Sequence, residues 1–277
     1  MASSSVNRPA AATPTATDSA QKVFHWILSG ALAIVFVVQF ALPEYYLILD
    51  AVLLVLAVAV SITTLNRQIP MQNVLLGVVI TALIGGATHG LSAFRGLAIP
   101  FGPIFFHETC GAEIFGFVPW TIPLLWVVAL FSSRGTARLI LRPWRKLKSY
   151  GYWLIGLTAV LVMAFDFALE PFATTRANDF WTWPPTKFPV TWYGASPLNF
   201  LGWVFVALLI LGFTTPALIK KRPGSRTPLE LNPLGIWLGA IILFAVGCAK
   251  AALWPAVAAD ATIVIVTLAF AIPGARW

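Results

Sequence analysis

The sequence predicts an all-α, polytopic membrane protein built as one helix bundle. Of its 277 residues, 59% are hydrophobic and only 10% are charged, whereas a soluble domain carries about 25% charged residues. The mean hydropathy is +0.85. Apolar runs of about 20 residues, enough to cross the hydrocarbon core of a bilayer, recur along the whole chain. These observations leave no room for a separate soluble domain.

Eight segments are long and apolar enough to be membrane spans. They lie at about 23–42, 46–65, 73–92, 113–132, 152–171, 197–219, 233–254 and 256–274. Only Trp254-Pro255 separates the last two, so a seven-span alternative with a re-entrant end stays open. Residues 1–20 are rich in Ala, Ser, Thr and Pro and carry little charge, which predicts a disordered leader. Residues 21–277 are predicted to form a single transmembrane domain.

The distribution of Lys and Arg predicts the orientation. Eight spans put most of the basic residues on one side of the membrane and leave Arg95, Arg176 and Lys187 on the other. By the positive-inside rule, both termini are then cytoplasmic. The net charge of +8 therefore reflects topology and contact with membrane lipids, and no nucleic-acid partner is expected. The segment Arg134–Lys148 predicts a short helix in the cytoplasmic headgroup layer, with specific lipid or partner binding as the alternative.

Two carboxylates lie one helical turn apart inside an apolar segment. They are Asp166 and Glu170 in Leu161–Phe172, and their i,i+4 spacing places both on one face of a helix. A carboxylate in hydrocarbon is costly, so it pairs, takes up a proton or lines a wet cavity. We therefore expect a functional site at this position, close to an apolar substrate.

Other ionisable residues converge on the same level of the bundle. Asp166 lies about 14 residues into a span that runs outward, which is roughly 21 Å at 1.5 Å per residue. His89 lies near the outer end of span three, Glu113 at the outer start of span four, and Glu108 in the loop before it. Scattered structural polar groups have no reason to gather at one depth, so the convergence indicates a site.

Each of these residues also has a structural alternative. His89 fits a hydrogen-bonded core histidine, and Glu113 fits the positive end of a helix dipole. Glu170 fits a rim position at the end of its helix. Lys250 and Asp260, near the outer ends of the last two spans, are expected to form an ion pair that neutralises both charges.

The loop between spans five and six is aromatic. It contains Trp181, Trp183 and Tyr193, and Asn199 follows at the outer start of span six. Trp and Tyr favour membrane interfaces, which makes an anchoring belt one interpretation. The other interpretation is a lid over the outer mouth of the bundle, where aromatic faces stabilise a cation.

Several segments together resemble one family. They are Asp166-Phe-Ala-Leu-Glu-Pro171, Trp181-Thr-Trp183, the stretch from Tyr193 to Trp203, and the glycine- and proline-rich stretch from Glu113 to Trp126. In this order they resemble the membrane carotenoid-biosynthesis hydratases. The resemblance covers roughly residues 85–220 and extends to the length and span count.

The resemblance implies addition of water to the terminal C1–C2 double bond of an acyclic carotenoid end group, giving a tertiary alcohol. Asp166 is then the proton donor, and Glu170 or Glu113 holds and deprotonates the water. These roles can be exchanged among the three acids. The residues expected to bind substrate or position water are His89, Glu108, Trp181, Trp183, Tyr193 and Asn199. The reaction calls for no metal and no cofactor. The polyene substrate is expected to enter from the bilayer, and the expected location is a bacterial inner membrane.

Three other functions stay open from the sequence. A cofactor-free carotenoid cyclase uses the same protonation step, but an internal alkene captures the cation. A proton-coupled transporter also places carboxylates and histidine within spans, although no internal repeat is evident here. A lipid- or pigment-binding subunit without catalysis is the third, although binding alone does not require several acids at one depth.

Overall fold

The computed structural model describes residues 16–41, 46–94, 98–219 and 229–277, and it is a bundle of long α-helices. In chain order these are α1 (Ala16–Ala41), α2 (Tyr46–Asn66), α3 (Met71–Ala93), α4 (Thr121–Ile140), α5 (Tyr150–Ala173), α6 (Pro197–Leu218), α7 (Asn232–Lys250) and α8 (Trp254–Ala275). The predicted all-α polytopic bundle is confirmed. Helix α1 begins at Ala16, inside the predicted leader of residues 1–20; residues 1–15 of that leader lie outside the described residues.

Seven of the described helices are long and apolar enough to cross a membrane, and α4 is the exception. At 20 residues, α4 is about 30 Å long, which is sufficient for a span. It packs against α2, α3, α5, α7 and α8, and none of its residues is exposed. Because protein surrounds α4 on every side, its residues need not be apolar enough for lipid.

The predicted start of the fourth span at Glu113 is wrong, because the helix begins at Thr121. Residues 113–119 form a short hairpin in which β2 (Glu113–Ile114) pairs with β3 (Val118–Pro119). Phe115 and Gly116 at its tip have φ values of 55° and 77°, a left-handed backbone that a right-handed helix excludes. Hydropathy alone counts these apolar residues as part of a span.

The same shift corrects the prediction for the basic segment. Arg134 and Arg138 belong to the last turns of α4, and no separate surface helix begins at Arg134. The chain then makes a short 3-10 turn at Arg142–Trp144 before α5 begins at Tyr150. Arg134 is only 5% exposed, so its side chain lies inside the bundle.

The last two helices, α7 and α8, are separate, and each is long and apolar enough to cross a membrane, as the eight-span prediction requires. Only residues 251–253 separate Lys250 from Trp254, and Ala252 turns the chain with a φ of 57°. The expected Lys250–Asp260 ion pair is wrong, because no ion pair joins these two residues. Asp260 is fully buried, and neither of its carboxylate oxygens has a hydrogen-bond partner in the described part of the chain.

Several basic loops meet at one end of the bundle, which we call the basic end. Arg67, after α2, forms a 2.9 Å ion pair with Glu230, just before α7. Arg138 near the end of α4 donates to Gln68 Oε1 at 3.1 Å. These contacts place the ends of α2 and α4 beside the start of α7, as the predicted alternation of spans requires.

Short strands close the opposite end, which we call the carboxylate end. Strand β1 (Phe105–Phe106) pairs antiparallel with β4 (Trp181–Thr182), with Phe106 opposite Trp181. This pairing ties the loop after α3 to the loop after α5. The aromatic loop therefore folds inward over the ends of the helices.

Two glycines let large aromatic side chains enter the core at the carboxylate end. A Cβ on Gly85 of α3 would lie 2.2 Å from the ring of Trp126, and one on Gly202 of α6 would lie 2.7 Å from that of Phe101. Neither distance is compatible with a side chain, so both helices approach these rings closely because the glycines are present. Trp126 and Phe101 are both completely buried.

Candidate functional site

Asp166 and Glu170 lie on one face of α5, in its last two turns. Their side chains are 0% and 1% exposed. The helix continues through Pro171 to Ala173. Proline lacks the N–H that would bond the carbonyl of Phe167 four residues earlier, and the indole of Trp192 donates to that oxygen at 2.9 Å instead. The aromatic loop is thereby fixed to the helix that carries the two acids.

Asn199 bridges the two carboxylates from α6. Its Nδ2 donates to Asp166 Oδ2 at 2.7 Å and to Glu170 Oε1 at 3.0 Å. Asn199 is itself 1% exposed, in the first turn of a helix that begins at Pro197. Proline is well placed there because the first N–H groups of a helix have no partner within it. One amide therefore holds both acids at a fixed separation.

The aromatic loop supplies two more donors, and both act on Glu170. Trp181 and Trp183 donate their indole N–H groups to Glu170 Oε2 at 3.2 and 2.8 Å. Alternate residues of an extended segment face the same side, and for this reason the Trp-Thr-Trp spacing directs both indoles to one carboxylate. Glu170 thus accepts three N–H groups.

Asp166 is far less well satisfied than its neighbour. It accepts one hydrogen bond, at Oδ2, while Oδ1 is buried with no partner among the described residues. A buried polar atom without a partner is uncommon and costly. This oxygen is therefore the atom of the pair that is free to interact with a bound molecule.

A narrow cavity adjoins the carboxylates at this end of the bundle. Its walls come from the ends of α3 and α5, the starts of α4 and α6 and the two loops: His89, Ile104, Phe106, Ile122, Leu125, Asp166, Glu170, Trp181, Trp183, Asn199 and Trp203. All of these residues belong to the carboxylate end. The cavity therefore lies at one end of the bundle.

An aromatic cluster backs this cavity. The rings of Trp126 and Trp203 stack with centroids 4.1 Å apart, and Phe101 lies 4.1 Å from His89. His89 Nδ1 lies 3.0 Å from the indole nitrogen of Trp126 and 3.2 Å from the carbonyl oxygen of Gly85, both within hydrogen-bond distance. His89 is 4% exposed, which makes it a hydrogen-bonded core histidine that also lines the site.

A larger apolar groove runs beside the carboxylate cavity, with a volume of about 210 Å³. It lies between α2, α4, α5 and α7 and touches α1, with the loops at residues 109–111 and 180–181 above it. Ile122, Leu125 and Trp181 line both the groove and the carboxylate cavity. The apolar groove and the carboxylate cavity are therefore neighbours that share these three side chains.

Few polar groups line the groove. Asp50 of α2 accepts a hydrogen bond from Gln39 of α1, and Thr109 and Cys110 lie at its upper edge. Burial raises the pKa of the Cys110 thiol to about 11, so the thiol is neutral at physiological pH. Cys110 and Cys248 are both free. The groove is therefore suited to a hydrocarbon ligand.

Three predicted site residues lie away from the carboxylates. Glu108 and Glu113 are exposed in the loop between α3 and α4 and do not line the carboxylate cavity. Tyr193 is half-buried, with its ring edge-on to Trp192 at 4.9 Å, and it also lies outside that cavity. The structure brings together Asp166, Glu170, His89, Asn199, Trp181 and Trp183.

Two tryptophans that pack behind the site, Trp126 and Trp203, were not predicted to belong to it. Both lie in apolar helices, where a single tryptophan is usually explained by core packing or by a position at the membrane interface. The available signal was the small residues opposite them. Gly85 and Gly202 interrupt long apolar helices, and a glycine there often marks a close approach by another group.

A family model described as carotenoid biosynthesis protein matches residues 45–268, a range that includes both carboxylates, Asn199 and the two loop tryptophans. No curated protein and no solved structure matches the chain. The family match confirms the predicted resemblance to membrane proteins of carotenoid biosynthesis. The chain belongs to the carotenoid biosynthesis protein family.

Proposed function

We propose that this protein adds water across the terminal C1–C2 double bond of an acyclic carotenoid end group. The observation that carries the proposal is the buried pair Asp166–Glu170, bridged by one amide, in a cavity that shares Ile122, Leu125 and Trp181 with an apolar groove. An unactivated alkene needs a strong acid held in an apolar setting, and a second group to handle the water. The pair supplies both.

Asp166 is the proton donor in this mechanism. One of its oxygens accepts from Asn199, and the other, Oδ1, has no hydrogen-bond partner among the residues that the structure describes. A carboxylic acid surrounded by carbon keeps its proton, so Oδ1 carries it and delivers it to C2. The double bond breaks, a C2–H bond forms, and positive charge develops at the tertiary carbon C1.

Glu170 is the anion of the pair. Three N–H donors converge on its oxygens, and hydrogen bonds of this kind favour the charged form of a carboxylate. Its negative charge stabilises the nearby cation at C1. The faces of the surrounding tryptophans add to this stabilisation, because the ring quadrupole attracts positive charge.

Water completes the reaction. Its oxygen bonds to C1 while Glu170 takes one of its protons, and the other proton stays on the new hydroxyl. The proton on Glu170 then returns to Asp166, which restores the starting state. One water is consumed for each double bond, and the reaction involves no net oxidation or reduction.

The apolar groove is the proposed site for the polyene chain. Its lining of Leu, Ile, Phe and Ala side chains matches a hydrocarbon. The carboxylate cavity is narrow, so Ile122, Leu125 or Trp181 must shift to admit the end group and water. Access from the bilayer between helices avoids exposing the polyene to water.

A proton-coupled transporter is less well supported than hydration. Transport requires the carboxylates to reach both sides of the membrane in turn. Every residue lining the carboxylate cavity belongs to one end of the bundle, which suits a pocket that takes its substrate and returns its product on one side.

Pigment analysis tests this proposal. A host that makes an acyclic carotenoid would express the wild type, Asp166→Asn, or the control Asp179→Asn, whose exposed side chain lies on the loop after α5. We expect a product heavier by one water from the wild type and from the control, and none from Asp166→Asn. An isomer of unchanged mass would instead indicate cyclisation, and product from Asp166→Asn at the wild-type level would exclude Asp166 as the donor.

A further inference from the structure

A second polar cavity lies at the basic end, away from the carboxylates. Its volume is about 260 Å³, many times the ~30 Å³ share of one water in the liquid. Its walls come from the end of α2, the end of α4 with the turn that follows, and the starts of α5 and α7. They are Ser61, Thr64, Leu65, Gln68, Phe131, Arg134, Gly135, Arg138, Leu139, Arg142, Arg145, Tyr150, Leu229, Glu230, Pro233 and Ile236. Nothing in the proposed hydration uses this cavity.

Positive charge dominates the lining. Its charged residues are Arg134, Arg138, Arg142, Arg145 and Glu230. Glu230, the one carboxylate among the described lining residues, is already paired with Arg67 at 2.9 Å. The segment 220–228 contains no Asp or Glu in its sequence. The guanidinium groups that line the cavity therefore have no unpaired carboxylate beside them among the described lining residues.

Arg134 shows that this is more than a topology anchor. Its side chain is 5% exposed, and among the described residues it makes one hydrogen bond, from Nη2 to the carbonyl oxygen of Leu218 at 3.3 Å. A guanidinium has five N–H donors, and a buried charge is costly unless it is paired. An arginine that only fixes orientation has its charge in the headgroup region or in water, where this cost does not arise.

The other arginines extend the same surface outward. Arg138 makes one hydrogen bond, to Gln68 Oε1 at 3.1 Å, while Arg142 and Arg145 make no side-chain hydrogen bond or ion pair among the described residues. Arg145 is exposed and marks the mouth of the cavity. Most of the guanidinium N–H groups are thus available to a ligand that carries several acceptor oxygens.

We propose that this cavity binds a phosphate group. Guanidinium forks match phosphate oxygens in geometry and form strong charge-assisted pairs with them. The hydroxyls of Ser61, Thr64 and Tyr150 supply further donors. The phosphate belongs either to the headgroup of an anionic phospholipid in the adjacent leaflet or to free phosphate, and both present the same oxygens to the arginines.

Ligand-dependent stabilisation of the purified full-length protein tests this site. A ligand that binds only the folded state raises the unfolding temperature with its concentration. The protein in detergent would be titrated separately with phosphatidylglycerol, phosphatidylcholine and inorganic phosphate. The test variant is the double substitution Arg138→Gln with Arg142→Gln, which leaves the buried Arg134 in place so that the bundle folds. The control is Lys146→Gln with Lys148→Gln, which removes equal charge from exposed residues of the same loop outside the lining.

We expect phosphatidylglycerol or inorganic phosphate to stabilise the wild type and the control, with binding at least tenfold weaker in the arginine variant. A response to phosphatidylglycerol alone identifies a lipid headgroup, and a response to inorganic phosphate identifies free phosphate. Equal stabilisation by phosphatidylcholine, no response to either anion, or equal responses from the arginine variant and the wild type would overturn the proposal.

Discussion

At the scale of single residues, hydrogen bonds distinguish two acids that the sequence leaves equivalent. Glu170 accepts three N–H groups, whereas Asp166 accepts one, and its buried Oδ1 has no partner within the described ranges. Their i,i+4 spacing predicts that they share a helix face. It does not predict which is better solvated by the protein, because the donors come from Trp181, Trp183 and Asn199 in other segments. The proposed roles of acid and anion rest on that difference.

Removing one donor to Glu170 should lower activity without unfolding the protein. Trp183→Phe keeps an aromatic ring but deletes the N–H that lies 2.8 Å from Glu170 Oε2. A hydrogen bond to a charged group contributes about 1.5–3 kcal/mol, so we expect carotenoid conversion to fall roughly tenfold to hundredfold. The measurement is the initial rate of product formation at equal amounts of folded protein.

The matched control for this substitution lies in the same loop. Trp192→Phe also deletes an indole N–H, but that group donates to the backbone oxygen of Phe167 and not to an acid. It should lower the unfolding temperature and leave the rate per folded molecule within a few-fold of wild type. If both variants lost activity equally, the hydrogen bond to Glu170 would have no special part in the reaction.

At the scale of helices, the length of an apolar run predicts most of the long spans well. It predicts the wrong start for the fourth span, where the backbone adopts positive φ values. The predicted spans 46–65, 73–92 and 197–219 lie within a few residues of α2, α3 and α6, since an uninterrupted apolar run has few alternatives in a membrane. Span four was placed eight residues early. Phe115 and Gly116 adopt positive φ values there, and the apolar composition of the segment does not predict that conformation.

The contact between α3 and α4 depends on the absence of a side chain at Gly85. A Cβ there would lie 2.2 Å from the ring of Trp126, so Gly85→Ala must displace that ring or separate the helices. Overpacking of this kind costs about 1–3 kcal/mol. We expect a lower thermal unfolding midpoint in detergent, and weaker catalysis because Trp126 also holds His89.

Gly156→Ala is the control for this packing prediction. Nothing lies within 4 Å of a Cβ at Gly156 in α5, so alanine should leave stability unchanged or raise it slightly through its higher helix propensity. Equal destabilisation by the two substitutions would mean that the α3–α4 contact is not as close as described.

Filling the apolar groove should block the substrate. Ala240 of α7 lines the groove, and Ala240→Phe would occupy part of its volume of about 210 Å³. We expect loss of most of the carotenoid conversion with the protein still folded. Ala269→Phe, on an exposed position of α8, adds the same ring to the outer surface and should leave conversion unchanged. Full activity of Ala240→Phe would place the polyene elsewhere.

At the scale of the whole molecule, the two ends of the bundle differ in chemistry. The carboxylate end holds the bridged acids and the aromatic loop, and the basic end holds a cavity lined by arginines. The charge pattern predicts this difference, because Lys and Arg are concentrated in the loops on one side of the alternating spans, and most acidic residues lie towards the other side. It does not predict that Arg134 is buried, since that depends on where α4 ends.

The positions of the site residues that lie in helices could be predicted from the sequence, whereas the positions of those in loops could not. Asp166, Glu170 and Asn199 meet because helix periodicity and the direction of each span fix their depth. Glu108, Glu113 and Tyr193 were expected to belong to the site and lie outside the carboxylate cavity, since loop conformation follows no period. Trp181 and Trp183 reach Glu170 through the pairing of β4 with β1, a contact between distant segments that local sequence does not specify.

The origin of the new atoms in the product tests the proposed hydration directly. Membranes containing the wild-type protein would be given an acyclic carotenoid in water enriched in deuterium and oxygen-18, and the product would be analysed by mass spectrometry and NMR. Hydration by the buried acid pair predicts one solvent-derived deuterium at C2 and one solvent-derived oxygen at C1. An oxygen that comes from molecular oxygen, or a product that gains deuterium but no oxygen, would contradict the account.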